Sequence, residues 1–300
     1  AIEDALRPGH ILMLDDVVAS LGRGVDAMTK PSVNPDLVAV LKKLRLGRTL
    51  DTLAPRRALA RSQPMDIEDF LLLVLGDEVG RRDSSAAERR AEQAGLDRDM
   101  TFERWDKTAK ITYDNRLLAE LASLRFLASH RHVVILGPVG VGKTLLASAL
   151  APVACQNGYR VILKRADRIL RELRQSRLDN SREAVMTDLT TVDLLVIDDF
   201  ALEPMTRDES RDVYQLFVER TGRASTIVTS NRDTSEWLAM FDDVLQAQSA
   251  IDRFKNAAYD LVVEGESYRA RLKPRLDEDA PTKPASPVPK PVQIGRRRKR

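Results

Sequence analysis

The sequence predicts an α/β fold, a parallel sheet with helices on both faces, preceded by a small all-α region. From His132 to about residue 272, short β-rich runs at 133–136, 161–163, 194–197, 226–229 and 261–263 alternate with helical patterns. Alternation of this kind sets the strands parallel and places the crossover helices over both faces. From Pro35 to about residue 130 the pattern is helical instead, with apolar residues recurring at helical spacing.

Residues 1–32 show no clear period, and Met28-Thr29-Lys30 reads as the start of the folded chain, which makes the first stretch an expected extension. Asp36 follows Pro35 and opens Leu37, Val38, Val40, Leu41 and Leu44, the pattern of a capped amphipathic helix. Its other face carries Lys42, Lys43, Arg45 and Arg48. Residues 67–75 read as a strongly apolar helix expected in a core, 81–90 add basic charge, and 117–128 form another apolar helix. These boundaries divide the chain into an extension (1–32), a helical basic N-terminal domain (33–115) and a nucleotide-binding domain (116–272). A tail follows (273–300), with five prolines between 281 and 291 before Arg296-Arg297-Arg298-Lys299-Arg300. A segment of that composition cannot bury a core and is expected to be disordered.

Charged residues make up 31% of the chain, 48 basic against 45 acidic, for a net charge of +3. The small net charge hides a distribution in which the N-terminal third and the last residues are rich in arginine, which fits a polyanionic partner. The single cysteine, Cys155, excludes an internal disulfide and falls in an apolar helix, where packing outweighs thiol chemistry. The longest apolar run, around 71–75, is far short of the ~20 residues that span a bilayer. Asp15 and Asp16 interrupt the only early apolar stretch, so no signal peptide is read. The expectation is a soluble cytoplasmic protein with no membrane partner. Three histidines without zinc-ligand spacing leave no metal site expected beyond Mg²⁺, and 5% aromatics give little sign of a base-stacking platform.

Chemistry concentrates in three segments. Gly137-Pro138-Val139-Gly140-Val141-Gly142-Lys143-Thr144 is a full phosphate-binding loop pattern, preceded by an apolar strand and followed by a helical run. Its glycines let backbone N–H groups turn inward toward phosphate oxygens, and the helix N-terminus adds partial positive charge. Lys143 is placed to reach the β- and γ-phosphates of ATP, and the Thr144 hydroxyl to ligate Mg²⁺. Pro152 is expected to kink the following helix or to end its first segment. Leu194-Leu195-Val196-Ile197-Asp198-Asp199 is a buried strand ending in two carboxylates, at the strand edge where open α/β sheets bind ligands. Asp198 is assigned to the Mg²⁺ ion and Asp199 to the attacking water. Asp199 is one methylene shorter than the Glu frequent there, and nearby Glu203 could share its task. The third segment, Ser225-Thr226-Ile227-Val228-Thr229-Ser230-Asn231, is a strand ending in polar residues. There Asn231 can meet the γ-phosphate or the lytic water.

The order of these segments resembles the AAA+ ATPases, a division of the P-loop NTPases. More closely it resembles the IstB-like helper proteins of insertion-sequence transposition, relatives of the DnaC helicase loader. The resemblance runs from about Leu37 to Arg269, most specifically in 137–144, 194–204 and 249–269. Ala201 stands where that family usually has Gly. The resemblance implies a sensor role for Asn231 and an arginine finger in Arg253, supplied to a neighbouring subunit. It also implies a γ-phosphate contact from Arg269. Which of Arg253 and Arg269 acts in trans is left open. It further implies an ATPase that self-associates through the ATP site, assembles on DNA mainly by backbone contacts, and assists a cognate transposase in target selection. A helicase loader and a non-hydrolysing nucleotide switch are the alternatives. Arg168, Arg171 and Arg174 recur every third residue of a predicted helix, opposite Ile169, Leu170 and Leu173. They form one candidate DNA-facing surface. The basic helix with Lys42, Lys43, Arg45 and Arg48 is the other, or else a surface for the transposase.

Overall fold

The computed structural model describes residues 33–268, apart from Arg98, Lys107, Ala109 and the side chain of Gln246. The expected extension, the proline-rich tail and Arg269 lie outside the described residues. The chain divides into two compact units between Asp83 and Ser84, so the division expected between 115 and 116 falls inside the second unit.

The first unit holds α1 (Pro35–Lys43), α2 (Thr49–Ser62) and the first part of α3 (Ile67–Gln93). The Asn34 carboxamide oxygen accepts from the Asp36 N–H at 2.8 Å, the cap that starts α1. Two charged clusters tie the unit together. Arg56 makes a forked pair with Asp77, both bonds 2.8 Å. Glu78, its side chain nearly fully buried, accepts from Arg81 and Arg82, which hold its carboxyl down at about 2. The expectation that 67–75 form core is corrected here. Val74 is buried, but Ile67 and Leu72 are 75% and 72% exposed, and Leu71 and Leu75 are exposed as well. Apolar periodicity sets which residues share a face, not whether another element covers it.

The second unit begins with the rest of α3 and a one-turn helix at Phe102–Arg104. In chain order come β1 (Ile111–Thr112), α4 (Asn115–Ala122), α5 (Arg125–Ala128), β2 (His132–Leu136), α6 (Lys143–Gln156), β3 (Val161–Arg165), α7 (Ala166–Ser176), α8 (Arg182–Thr191), β4 (Leu194–Asp198), α9 (Arg207–Arg220), β5 (Ser225–Ser230), α10 (Val244–Asn256), β6 (Ala258–Val262) and β7 (Glu264–Gly265). The single helix expected over 117–128 is two helices, because Leu124 takes a left-handed conformation (φ 61°) between α4 and α5. Pro152 does not end α6, which continues through it to Gln156.

The main sheet is parallel throughout, in the order β3-β4-β5-β2-β6, as the alternating pattern predicted. Strands covered on both faces show which side chain goes where. On β4, Leu195 and Ile197 join one core with Ile169, Leu173, Phe217 and Phe254, while Leu194 and Val196 join the other with Leu146, Leu150 and Phe126. This two-sided burial makes each strand read as a continuous apolar run. A short antiparallel pair, β1 with β7, ties the segment before the sheet to the segment after it.

Candidate functional site

The site forms at the C-terminal ends of β2, β4 and β5, where the parallel strands release their loops on one edge. Residues 137–142 join β2 to α6. Gly140 and Gly142 have φ of 86° and 94°, conformations that side chains with a Cβ rarely adopt. Both are also closely approached. A Cβ on Gly140 would lie 2.1 Å from Ser267 Oγ, and one on Gly142 would lie 2.7 Å from the Trp105 ring. The Tyr268 N–H donates to the Gly140 carbonyl at 2.9 Å, so the segment after β7 lies directly on the loop.

Lys143 is buried, and its ammonium donates to the carbonyls of Gly137 (2.8 Å) and Pro138 (2.7 Å). These bonds curl the lysine back over its own loop, where incoming phosphate oxygens can replace the carbonyls as stronger, charged acceptors. The next residue, Thr144, donates its hydroxyl to the buried Asp198 carboxylate, 2.9 Å from Oδ1 and 3.1 Å from Oδ2. The Thr229 hydroxyl donates to Asp198 Oδ1 at 2.5 Å and accepts the Asp199 N–H at 3.0 Å. One hydroxyl on β5 therefore fixes both carboxylate residues that end β4.

Thr144 and Asp198 fit a magnesium ion. A hydroxyl and a buried carboxylate already within hydrogen-bond reach are hard oxygen donors, and Mg²⁺ uses one or two such groups beside phosphate oxygens and water. Among the described residues, no group of three or more His, Cys, Asp or Glu is placed to hold a metal ion by itself.

Asp199 lies just past the strand, half-buried, in a left-handed conformation (φ 55°), and Ala201 repeats that conformation at φ 59°. Each costs on the order of 1 kcal/mol in a residue with a Cβ. The turn is held regardless, by Phe200 N–H to the Thr229 carbonyl (2.9 Å) and Ser230 hydroxyl to the Phe200 carbonyl (2.9 Å). The left-handed conformation at 201 gives a physical reason for glycine at that place. Beside the turn opens a cavity of about 460 Å³, lined among others by Arg165, Arg171, Arg174, Asp199 and Glu203.

Of the residues singled out from sequence, the fold brings Lys143, Thr144, Asp198 and Asp199 to one edge. Asn231 is exposed one residue past β5. Arg253 is exposed on α10 and makes no hydrogen bond or ion pair to a described residue. Arg269 lies outside the described residues. Sequence reading assigned no role to Thr229, Arg165 or Trp105. Thr229 carried a legible signal, a polar residue near the end of an otherwise apolar strand. Arg165 becomes visible only through register, which pairs it with Asp198 across β3 and β4.

Residues 39–275 match the protein family described as "IstB-like ATP binding protein". A candidate ATP-binding protein of an insertion sequence from Mycobacterium tuberculosis is 35% identical over 243 residues, covering 80% of this chain and 96% of that protein. The candidate ATP-binding protein of insertion sequence IS21 from Pseudomonas aeruginosa is 32% identical over 252 residues, covering 84% and 93%. Among solved structures, DnaI is similar at a TM-score of 0.48 and 20% identity, covering 56% of this chain and 94% of that one.

Proposed function

The chain belongs to the IstB-like ATP-binding protein family, and we propose that it hydrolyses ATP as a DNA-assembled helper of a transposase. The observation that carries the hydrolytic reading is the Thr144–Asp198–Thr229 arrangement beside the phosphate loop, with Asp199 fixed one residue further on. In this reading the loop N–H groups and Lys143 bind the phosphates. Thr144 and Asp198 hold the magnesium ion, which neutralises developing phosphate charge when bound. Asp199 orients the attacking water and accepts its proton, and Asn231 meets the γ-phosphate or that water.

Arg253 extends the reading to assembly. An exposed guanidinium without a partner among the described residues suits a finger inserted into a neighbouring subunit's site, where it would bridge two phosphate oxygens. Arg269 would supply a second guanidinium. Self-association through the ATP site then makes turnover depend on oligomerisation. DNA contacts are assigned to the phosphodiester backbone, since Arg168, Arg171 and Arg174 are all well exposed on α7, at 71%, 60% and 63%. The relatives' names place them in insertion sequences, which supports a role in transposition; assistance to a transposase in target selection is the proposed form of that role. The basic N-terminal domain is the proposed surface for the transposase. No helix among the described residues is long and apolar enough to cross a membrane.

The test is ATP turnover with and without duplex DNA. Lys143→Ala should abolish it. Arg253→Ala and Asp199→Asn should each be inactive alone and recover part of the activity when mixed, because a mixed interface can pair an intact finger with an intact carboxylate. Turnover that ignores DNA, together with ATP-dependent binding to a hexameric helicase, would replace this reading with a helicase loader.

A further inference from the structure

A single exposed leucine is ordinary on a protein surface. Leu178, in the turn that joins α7 to α8, is 86% exposed, the most exposed large apolar side chain among the described residues. Two features set it apart. The first is support. Arg177 and Arg182, one on either side of the turn, both donate to the fully buried Asp212 of α9, at 2.7 and 2.6 Å. Within the turn, the Leu178 N–H donates to the Gln175 carbonyl at 2.9 Å. The Asp179 carboxylate accepts from the Ser181 N–H (3.0 Å) and the Ser181 hydroxyl (2.6 Å). Asn180 takes a left-handed conformation (φ 61°), which asparagine tolerates better than most residues.

The second feature is direction. Arg171, Arg174 and Leu178 stand at i, i+3 and i+7, the spacing of one helix side. Arg177 keeps helical dihedrals (φ −71°, ψ −27°), which carries that spacing past the last residue of α7. The leucine therefore ends a row of exposed guanidiniums. From Arg171 to Leu178 the rise is about 10 Å, roughly three base steps of ~3.4 Å each. We propose that Leu178 is a wedge that enters duplex DNA at a base step while Arg171 and Arg174 hold the adjoining phosphates. The inference rests on the reading that α7 binds the phosphodiester backbone.

Opening a base step costs stacking, and an apolar side chain that leaves water between the base faces offsets part of that cost. The pinned turn helps, because a side chain presented on ordered backbone loses less conformational freedom on binding. The two arginines supply affinity that ignores sequence. The wedge adds a dependence on how easily a step opens, and pyrimidine–purine steps open most easily. Charge identifies the occupant: the fully buried core of a protein interface is depleted of charged groups, whereas this leucine lies in line with guanidiniums suited to phosphates.

Binding of the full chain, with ATP present, to two short duplexes tests this. One duplex is fully paired and the other has a mismatched step at its centre; permanganate then reports unstacked thymines in the paired one. The wild type should bind the mismatched duplex about tenfold more tightly, since its step is already open, and should make thymines of the paired duplex reactive. Leu178→Ala should lose the preference and the reactivity, and Leu178→Met should keep both. Arg174→Ala should instead weaken both duplexes alike and lower the salt dependence. Because Leu178 is exposed, Leu178→Ala should unfold at the wild-type temperature, which separates loss of the wedge from damage to the fold. A Leu178→Ala protein that keeps the mismatch preference would overturn the proposal. If that variant also loses oligomer mass in light scattering, the leucine belongs to a protein contact instead. A wild type that binds both duplexes equally, with no reactive thymines, would overturn the wedge and leave the DNA-helper reading standing. Failure to bind either duplex would remove both.

Discussion

The two ends of the central sheet both bury polar groups, but they satisfy them differently. At the N-terminal end, Arg220 is fully buried and donates to the carbonyls of Leu189 (2.7 Å), Val192 (2.9 Å) and Ser225, and to the Thr226 hydroxyl (2.8 Å). Burial pushes its guanidinium down to about 9, still charged at neutral pH. His132 lies alongside, stacked 4.4 Å from Phe254, and accepts the Thr226 N–H. All these partners are fixed backbone or core groups. At the C-terminal end, Lys143 leans on its own loop carbonyls, and Asp198 is held by the hydroxyls of Thr144 and Thr229. Those partners can be exchanged for phosphate oxygens and a magnesium ion. Buried polarity is structural where its partners cannot leave, and a site where they can.

Substitutions at the two ends should therefore separate stability from turnover. Lys143→Ala is expected to cut ATP turnover about 100- to 1,000-fold. It should shift unfolding free energy by no more than about 1 kcal/mol. A urea titration showing a large loss of stability would break the contrast. Arg220→Met should do the reverse. Leaving several buried carbonyls without their donor costs about 3 kcal/mol, while nucleotide affinity of the folded protein stays the same. Equilibrium unfolding and nucleotide titration together check this.

A smaller effect comes from His132. Burial holds it near 3, against 6.5 in the unfolded chain, so the unfolded state binds the proton more readily. Its contribution is complete above pH 6.5 and is lost progressively as pH falls toward 3. Between pH 6.5 and 5.5 the wild type should lose roughly 1 kcal/mol. His132→Phe, which keeps the stack on Phe254, should flatten that slope, and matched slopes would refute the assignment. The smallest change is Ala201→Gly, which relieves a left-handed conformation. It should gain about 0.5–1 kcal/mol in unfolding free energy without altering turnover.

Legibility in the sequence followed the range of the interaction. Residues 137–144 could be read because a phosphate loop is local: eight consecutive residues contain the turn, the lysine and the hydroxyl. Asp198 and Asp199 were legible because a buried strand marks its own end. Pro152 does not end its helix, since the local rule about helix ends gave way to the packing of α6 in the core. The apolar positions of 67–75 misled for the opposite reason, as periodicity says nothing about what covers a face.

The sequence by itself determined the parallel α/β architecture, the phosphate loop, the paired carboxylates and the basic face of α7, because each is written in neighbouring residues or one helical period. Only the tertiary structure decided that Thr229 holds Asp198 and Asp199 together, that Arg165 reaches Asp199, and that Trp105 and Ser267 close on the loop glycines. Those contacts join residues from separate strands and connecting segments. Their existence depends on strand order and register, which no single segment encodes.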